Sequence, residues 1–191
     1  MSVSETAKEY IHLLTTQLGE IQNTAIESLG KAILTAHTNG NRIFICGNGG
    51  SAANAAHIAN DFLYGANPKG NGLRVMALPC NESVVTCLGN DLGYEQIFAR
   101  QVNDFGEEGD MLLVLSGSGN SPNVIAALQT ARNRDMATAA ILGFDGGRCK
   151  QLADIVIHFP IQDMQVSEDM QMIVAHILTR WIRRRLEGQD H

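Results

Sequence analysis

Between residues 6 and 37 apolar side chains return every three or four positions, at Ile11, Leu14, Leu18, Ile21, Ala25, Leu29 and Ile33. That spacing predicts one or two long helices, and Asn39-Gly40 supplies a stop. These helices precede any strand, so their apolar stripes need cover from a sheet or from another subunit. The rhythm then changes. Short β-rich runs ending in Gly, Ser or Asn alternate with helical segments, the order of parallel βαβ units. Strands are predicted at residues 42–46, 73–78, 111–115, 138–142 and 155–159, and a last helix at about 167–186 with Gly188 beyond it. The near-continuous apolar run at 111–115 marks a central strand covered on both faces.

Length agrees with this layout, because 191 residues suit a single domain spanning 1–191. Hydrophobic residues make up 45% and charged residues 18%, ordinary for a globular chain, while one Trp and three Tyr leave few rings for stacking bases. A formal charge of -6 gives no basic field to gather nucleic acid or an anionic membrane surface. The one basic run, Arg183 to Arg185, follows an apolar helical stretch and reads as a solvated helix end whose cations complement the C-terminal dipole. Cys46, Cys80, Cys87 and Cys149 lack C-x-x-C spacing and read as reduced, mostly buried thiols. With neither a leader pattern nor an apolar run of about 18 residues, the expected compartment is the cytoplasm.

Two predicted strand ends carry the same kind of loop: Cys46-Gly47-Asn48-Gly49-Gly50-Ser51 and Ser116-Gly117-Ser118-Gly119-Asn120-Ser121. Each opens a helix. Glycine lets the backbone approach a ligand, and free N–H groups at the positive end of a helix attract an anion. Ser116, Ser118 and Ser121 add donors without Lys or Arg. In a doubly wound sheet the crevice where winding reverses would bring both loops together, and a sugar phosphate is the ligand this predicts. A lone glycine-rich turn means little, since tight strand-to-helix turns need glycine anyway; two at corresponding strand ends mean more. Neither loop fits the Walker or G-x-G-x-x-G pattern, which argues against nucleotides.

At these residues the chain resembles the sugar isomerase (SIS) domain family, and within it the phosphoheptose isomerases. The likeness covers nearly the whole chain. It rests on residues 46–51 followed by His57, on Gly89-Asn90-Asp91, on residues 116–121, on Asp145-Gly146-Gly147 and on His176-Ile177-Leu178. The resemblance implies an α/β, three-layer flavodoxin-like fold with a five-stranded parallel sheet flanked by helices. It also implies a homotetramer with sites between subunits, in which N-terminal helices at 4–39 take part in packing. The implied reaction interconverts sedoheptulose 7-phosphate and D-glycero-D-manno-heptose 7-phosphate, in nucleotide-activated heptose biosynthesis. By the same resemblance Asn48, Gly49, Gly50, Ser51, Asn90, Asp91, Ser116, Gly117, Ser118 and Ser121 fall on substrate-contacting positions. His57, Asp61, Glu168 and His176 fall on catalytic or zinc-binding ones, Asp61 and Glu168 also within reach of substrate. Better-known members have Glu at the position of Asp61 and Gln at that of Glu168. They also often carry an Arg shortly after the former, where this chain has Tyr64-Gly65-Ala66-Asn67.

An aldose–ketose interconversion needs a base to take a proton from the carbon beside the carbonyl and an acid to protonate the oxygen, through an enediol. His57 and Asp61, four apart, face one side of a helix; Glu168 and His176 lie about two turns apart on the last helix. Two helices would then bring four side chains to one site. That set also suits zinc, which takes N and O ligands. With zinc, carbonyl and hydroxyl oxygens are polarised; without it, His176 is the acid and either Asp61 or Glu168 the base. The plainer alternative makes His57 and His176 hydrogen-bonded core histidines among their apolar neighbours. His12, His37, His158 and His191 read as structural or exposed, and Met164, Met170 and Met172 as helix-packing residues. Competing functions are a non-catalytic SIS protein binding a partner such as the replication initiator, an isomerase of another ketose phosphate, and a sugar-phosphate-sensing regulator, for whose DNA-binding domain the chain has no room.

Overall fold

The computed structural model describes residues 1–21 and 23–188, so His191 lies outside the described residues. The chain opens with two helices, α1 (Val3–Gly19) and α2 (Asn23–Thr38). Ser2 starts α1 through a capping box, its hydroxyl accepting from the Glu5 N–H while the Glu5 carboxylate accepts from the Ser2 N–H. The two helices find different cover. On α2, Ile26, Leu29, Gly30, Ile33 and Ala36 are buried, one face at helical spacing. Gly30 leaves room for the Trp181 ring, which would stand 2.9 Å from any Cβ there. In α1 only Gln17 is buried, and Ile11 remains 59% exposed, so its stripe finds no sheet in this chain.

Five parallel strands follow among the described residues: β1 (Ile43–Cys46), β2 (Val75–Ala77), β3 (Met111–Ser116), β4 (Ala137–Leu142) and β5 (Ile155–His158). Their order is β2-β1-β3-β4-β5, the flavodoxin-like order, with β3 in the centre as its apolar run requires. Winding reverses between β1 and β3, which pair from Ile43↔Met111 to Cys46↔Val114. Alternation along the strands separates two cores. Ile43, Ile45, Met111, Leu113, Leu115, Ala139 and Ile141 face one side with α2, α3 (Gly50–Asn60) and α8 (Met164–Leu186). Phe44, Cys46, Leu112, Val114, Ala140 and Leu142 face the other. That side is covered by α5 (Ala99–Phe105), α6 (Pro122–Asn133) and the short α7 (Cys149–Leu152), with α4 (Glu82–Asp91) at its margin. The expected three layers result.

Boundaries moved for local reasons. β2 ends at Ala77, short of 78, because Pro79, without an N–H, sits in a 3₁₀ turn over Leu78–Cys80. The last helix begins at Met164, ahead of 167, since the Asp163 carboxylate caps it by accepting from the Val166 N–H at 2.9 Å. No described helix is long and apolar enough to cross a membrane.

Candidate active site

The first turns of α8 lie across the carboxyl ends of three strands. A Cβ on Gly117 would meet the Met164 sulfur at 2.5 Å, one on Gly143 the Ser167 hydroxyl at 2.2 Å, and one on Gly50 the Glu168 carboxylate at 2.2 Å. These glycines therefore lie in close packing against α8, at Gly50 and Gly117 against the ends of flexible side chains. Gly119 adds a positive φ of 63° and a backbone carbonyl, that of Gly146, 2.0 Å from where a Cβ would stand. Glu168 is half-buried, with its carboxylate against Gly50, the first residue of α3. Gln171, one turn later, is buried and donates to the Ser51 hydroxyl at 3.0 Å, while Asn54 donates to Gln171 Oε1 and to the Glu168 carbonyl. Ser51 is thus engaged inside the fold.

The loops are joined directly. Asn48 Nδ2 donates to Asn123 Oδ1 at 2.9 Å and Asn123 Nδ2 donates back to Asn48 Oδ1 at 2.8 Å, with the Tyr94 hydroxyl donating to that same Asn48 oxygen at 3.1 Å. Asn123 is 1% exposed, and its oxygen also accepts from the Val124 N–H. In the serine turn the Ser116 hydroxyl accepts from the Gly119 N–H and the Ser118 hydroxyl from the Asn120 N–H. Each keeps its own O–H to donate. Ser121 is the N-cap residue of α6, half-buried and without a side-chain cap bond. Asn90 and Asp91 close α4, exposed, with the Asn90 amide donating to Asp91 Oδ1 at 2.8 Å. Beneath the turns lie two buried thiols: burial pushes Cys46 well above the usual thiol range and Cys149 up to about 11.

A second cluster stands at the far end of α3. There the α-helix widens into a π-turn over Asp61–Gly65, Ala66 N–H donating to the Asp61 carbonyl at 2.8 Å. Asp61 Oδ2 lies 3.7 Å from His57 Nε2 and 3.5 Å from His176 Nε2. The imidazoles cross edge to face at 5.4 Å and have side chains 54% and 51% exposed, which excludes the core-histidine alternative. One ligand atom from each of the three lies within 4.8 Å of the others. Tetrahedral zinc with N and O ligands needs spacings of about 3.4 Å, so these donors fit such an ion with little movement and leave a fourth position open. Glu168 is not among these three; its carboxylate lies against Gly50.

A SIS-domain family model matches residues 8–143. A phosphoheptose isomerase from Trichlorobacter lovleyi is 38% identical over 178 residues, 93% of this chain and 91% of the relative; one from Clostridium acetobutylicum is 37% identical over 164 residues, 86% and 84%. The chain belongs to the phosphoheptose isomerase family. A solved structure of phosphoheptose isomerase GmhA from Neisseria gonorrhoeae superposes with a TM-score of 0.87 at 31% identity, covering 94% of this chain and 96% of that one.

Within this phosphoheptose isomerase fold, the positions expected to contact substrate are spread over the loops at the carboxyl ends of β1 and β3 and the end of α4. Three of the four proposed metal ligands converge; the fourth stands at the loops. Sequence reasoning missed Asn123, Tyr94 and Arg183. The first two carry no motif, and only the fold brings them to Asn48. Arg183 was read as a solvated helix end, yet its guanidinium donates twice to the Gly65 carbonyl, from Nε at 2.7 Å and from Nη2. His158, read as structural or exposed, is half-buried and lies 3.0 Å through Nε2 from the Phe144 carbonyl.

Proposed function

We propose that the protein isomerises sedoheptulose 7-phosphate to D-glycero-D-manno-heptose 7-phosphate, with the phosphate on the serine turn and Glu168 as the base. The observation that carries this reading is the placement of Glu168: a carboxylate over Gly50, one helical turn from the Met164 side chain on Gly117. The Glu168 carboxylate takes the proton from C1 of the open-chain ketose as the acid protonates the C2 oxygen, giving an enediol; it then returns the proton to C2 as the C1 hydroxyl gives its proton back to the acid's conjugate base, giving the aldose. Hydroxyls of Ser116, Ser118 and Ser121, with the N-terminus of α6, hold the phosphate. The Asn48 amide, fixed by Asn123 and Tyr94, orients a sugar hydroxyl.

Zinc is the metal we assign to His57, Asp61 and His176; when bound it would polarise substrate oxygens. In the metal-free protein His176 is the acid. Met164 lies at the serine turn and His176 twelve residues further along α8, about 18 Å. We therefore infer that the pair of imidazoles serves a neighbouring chain's loops, in a homotetramer packed partly through the N-terminal helices at 4–39. The exposed Ile11 and Leu18 of α1 support that packing. The chain as a single domain, 1–191, and its place in the cytoplasm, where its four free cysteines stay reduced, complete the reading.

The test is incubation of purified protein with sedoheptulose 7-phosphate, with zinc and with a chelator, followed by NMR. Appearance of the aldose is expected. Absence of turnover in both arms would favour the non-catalytic alternative. Mixing inactive S118A and H176A proteins should restore activity if each site draws on two chains.

A further inference from the structure

We propose that Arg183 is a positioning residue of the His57–Asp61–His176 cluster, holding the Asp61 carboxylate in register with the two imidazoles. The inference rests on the assignment of that cluster as functional. Asp61 opens the π-turn, and the turn is anchored at three places. Phe62 is fully buried, and its carbonyl accepts from the Leu73 N–H at 3.2 Å. The next carbonyl, that of Leu63, packs on Gly72, where a Cβ would stand 1.5 Å away. At the end of the turn, beside the Ala66 N–H bond to the Asp61 carbonyl, the Arg183 guanidinium is the side chain that grips the Gly65 carbonyl.

Where that grip originates gives it its consequence. Arg183 stands seven residues after His176, two turns along the same face of α8. Thr179 lies between them, its methyl 3.6 Å from the Cβ position of Gly65. The helix that presents one imidazole therefore also sets the turn that presents the carboxylate. Asp61 sits four residues from His57, across the step from α-helical to π geometry, so its direction depends on how that turn closes. A guanidinium fork on one carbonyl fixes position as a single ammonium does not. Arg183 touches neither the imidazoles nor Asp61, and it lies on the surface, so its removal leaves the Gly65 carbonyl to water with little effect on folding.

The experiment measures zinc binding to wild type, R183A and R183K by competition with a chelator, together with thermal unfolding. The imidazole ¹⁵N signals of His57 and His176 are recorded in zinc-free protein and assigned with H57Q and H176Q. R183A should bind zinc about 10- to 100-fold more weakly, the loss found when a group supporting a metal ligand is removed. R183K should recover part of that loss, and both variants should unfold near the wild-type temperature. The imidazole signals should move in R183A. Unchanged zinc affinity and unchanged signals in R183A would overturn the proposal, as would a loss of affinity matched by unfolding. If wild type takes up no zinc, the metal assignment fails and the imidazole signals alone decide on Arg183.

Discussion

Asn48 and Asn123 exchange two amide hydrogen bonds, 2.9 and 2.8 Å long, across the crevice between β1 and β3. The pair fixes which way the Asn48 amide faces, because its oxygen also accepts from Tyr94 and its nitrogen keeps one N–H free. N123A takes the acceptor from the Asn48 nitrogen, leaves its oxygen with Tyr94 alone, and removes one of the two acceptors of the Val124 N–H, whose other is the Ser121 carbonyl. The expected cost is about 1 to 3 kcal/mol of stability, or about 2 to 10 °C in Tm. With sedoheptulose 7-phosphate KM should rise several-fold more than kcat falls. A variant with normal KM would show that Asn48 needs no such support.

Gly50 and Glu168 make a sharper test of the base. An alanine methyl at position 50 would meet the carboxylate at 2.2 Å, but that carboxylate ends a flexible side chain and can swing aside. G50A should therefore fold normally and lose about 10- to 100-fold in kcat, since small misplacements of a reacting group are costly. E168Q should lose about 100-fold or more. In the E168Q background G50A should add nothing, because the two changes act on one group. Additive losses would point to Asp61 as the base.

Most of the fold was legible because apolar periodicity reports burial. The continuous apolar run at 111–115 marked the central strand, and strand geometry then divides β1, β3 and β4 between the two cores. Helical spacing found both N-terminal helices but could not say that α2 is buried and α1 exposed, since the same stripe suits a sheet or another subunit. In the site, four-residue spacing correctly put His57 beside Asp61. Eight-residue spacing put Glu168 and His176 on one face of α8, yet the Glu168 carboxylate lies against Gly50 and is not among the three groups that converge. The loop glycines could be read from sequence as room for a ligand; at Gly50 and Gly117 they make room for Glu168 and Met164. Contacts that depend on pairs distant in sequence, such as Asn48–Asn123 and Gly65–Arg183, leave no periodic trace.

The cysteines predict both reactivity and alkaline stability. Cys80 and Cys87 are exposed and Cys46 and Cys149 buried, so a thiol reagent should modify two groups in the native protein and four after unfolding. Cys87 donates to the Asp91 carboxylate at 3.5 Å, and that hydrogen bond raises its pKa; D91N should speed its modification. Cys46 and Cys149 also have pKa values raised by burial, the latter to about 11 from 9.0. Below about pH 9 both states keep these protons and the contribution to stability is complete. As pH rises above that, the unfolded chain releases protons that the native state retains, so stability falls. For Cys149 the loss is complete once pH passes about 11. Thermal unfolding between pH 8 and 11 should show Tm decreasing, and less steeply in C149A.

Asp135 offers a change in stability without a change in chemistry. It follows α6 with φ at 53°, in the left-handed region, where it lets the Met136 N–H reach back to the Ala131 carbonyl at 3.0 Å. A side chain in that conformation costs about 1 to 2 kcal/mol, and Asp bears it better than most residues, while glycine bears it freely but loses more entropy on folding. D135G should therefore gain about 0.5 kcal/mol, or about 1 to 2 °C in Tm. Asp135 is exposed and lies past the C-terminal end of α6, the end remote from the serine turn, so kcat and KM should stay at wild-type values. A fall in Tm would mean that the Asp135 carboxylate supports the turn in solution, and D135N, which keeps the side chain without the charge, would then lower it as well.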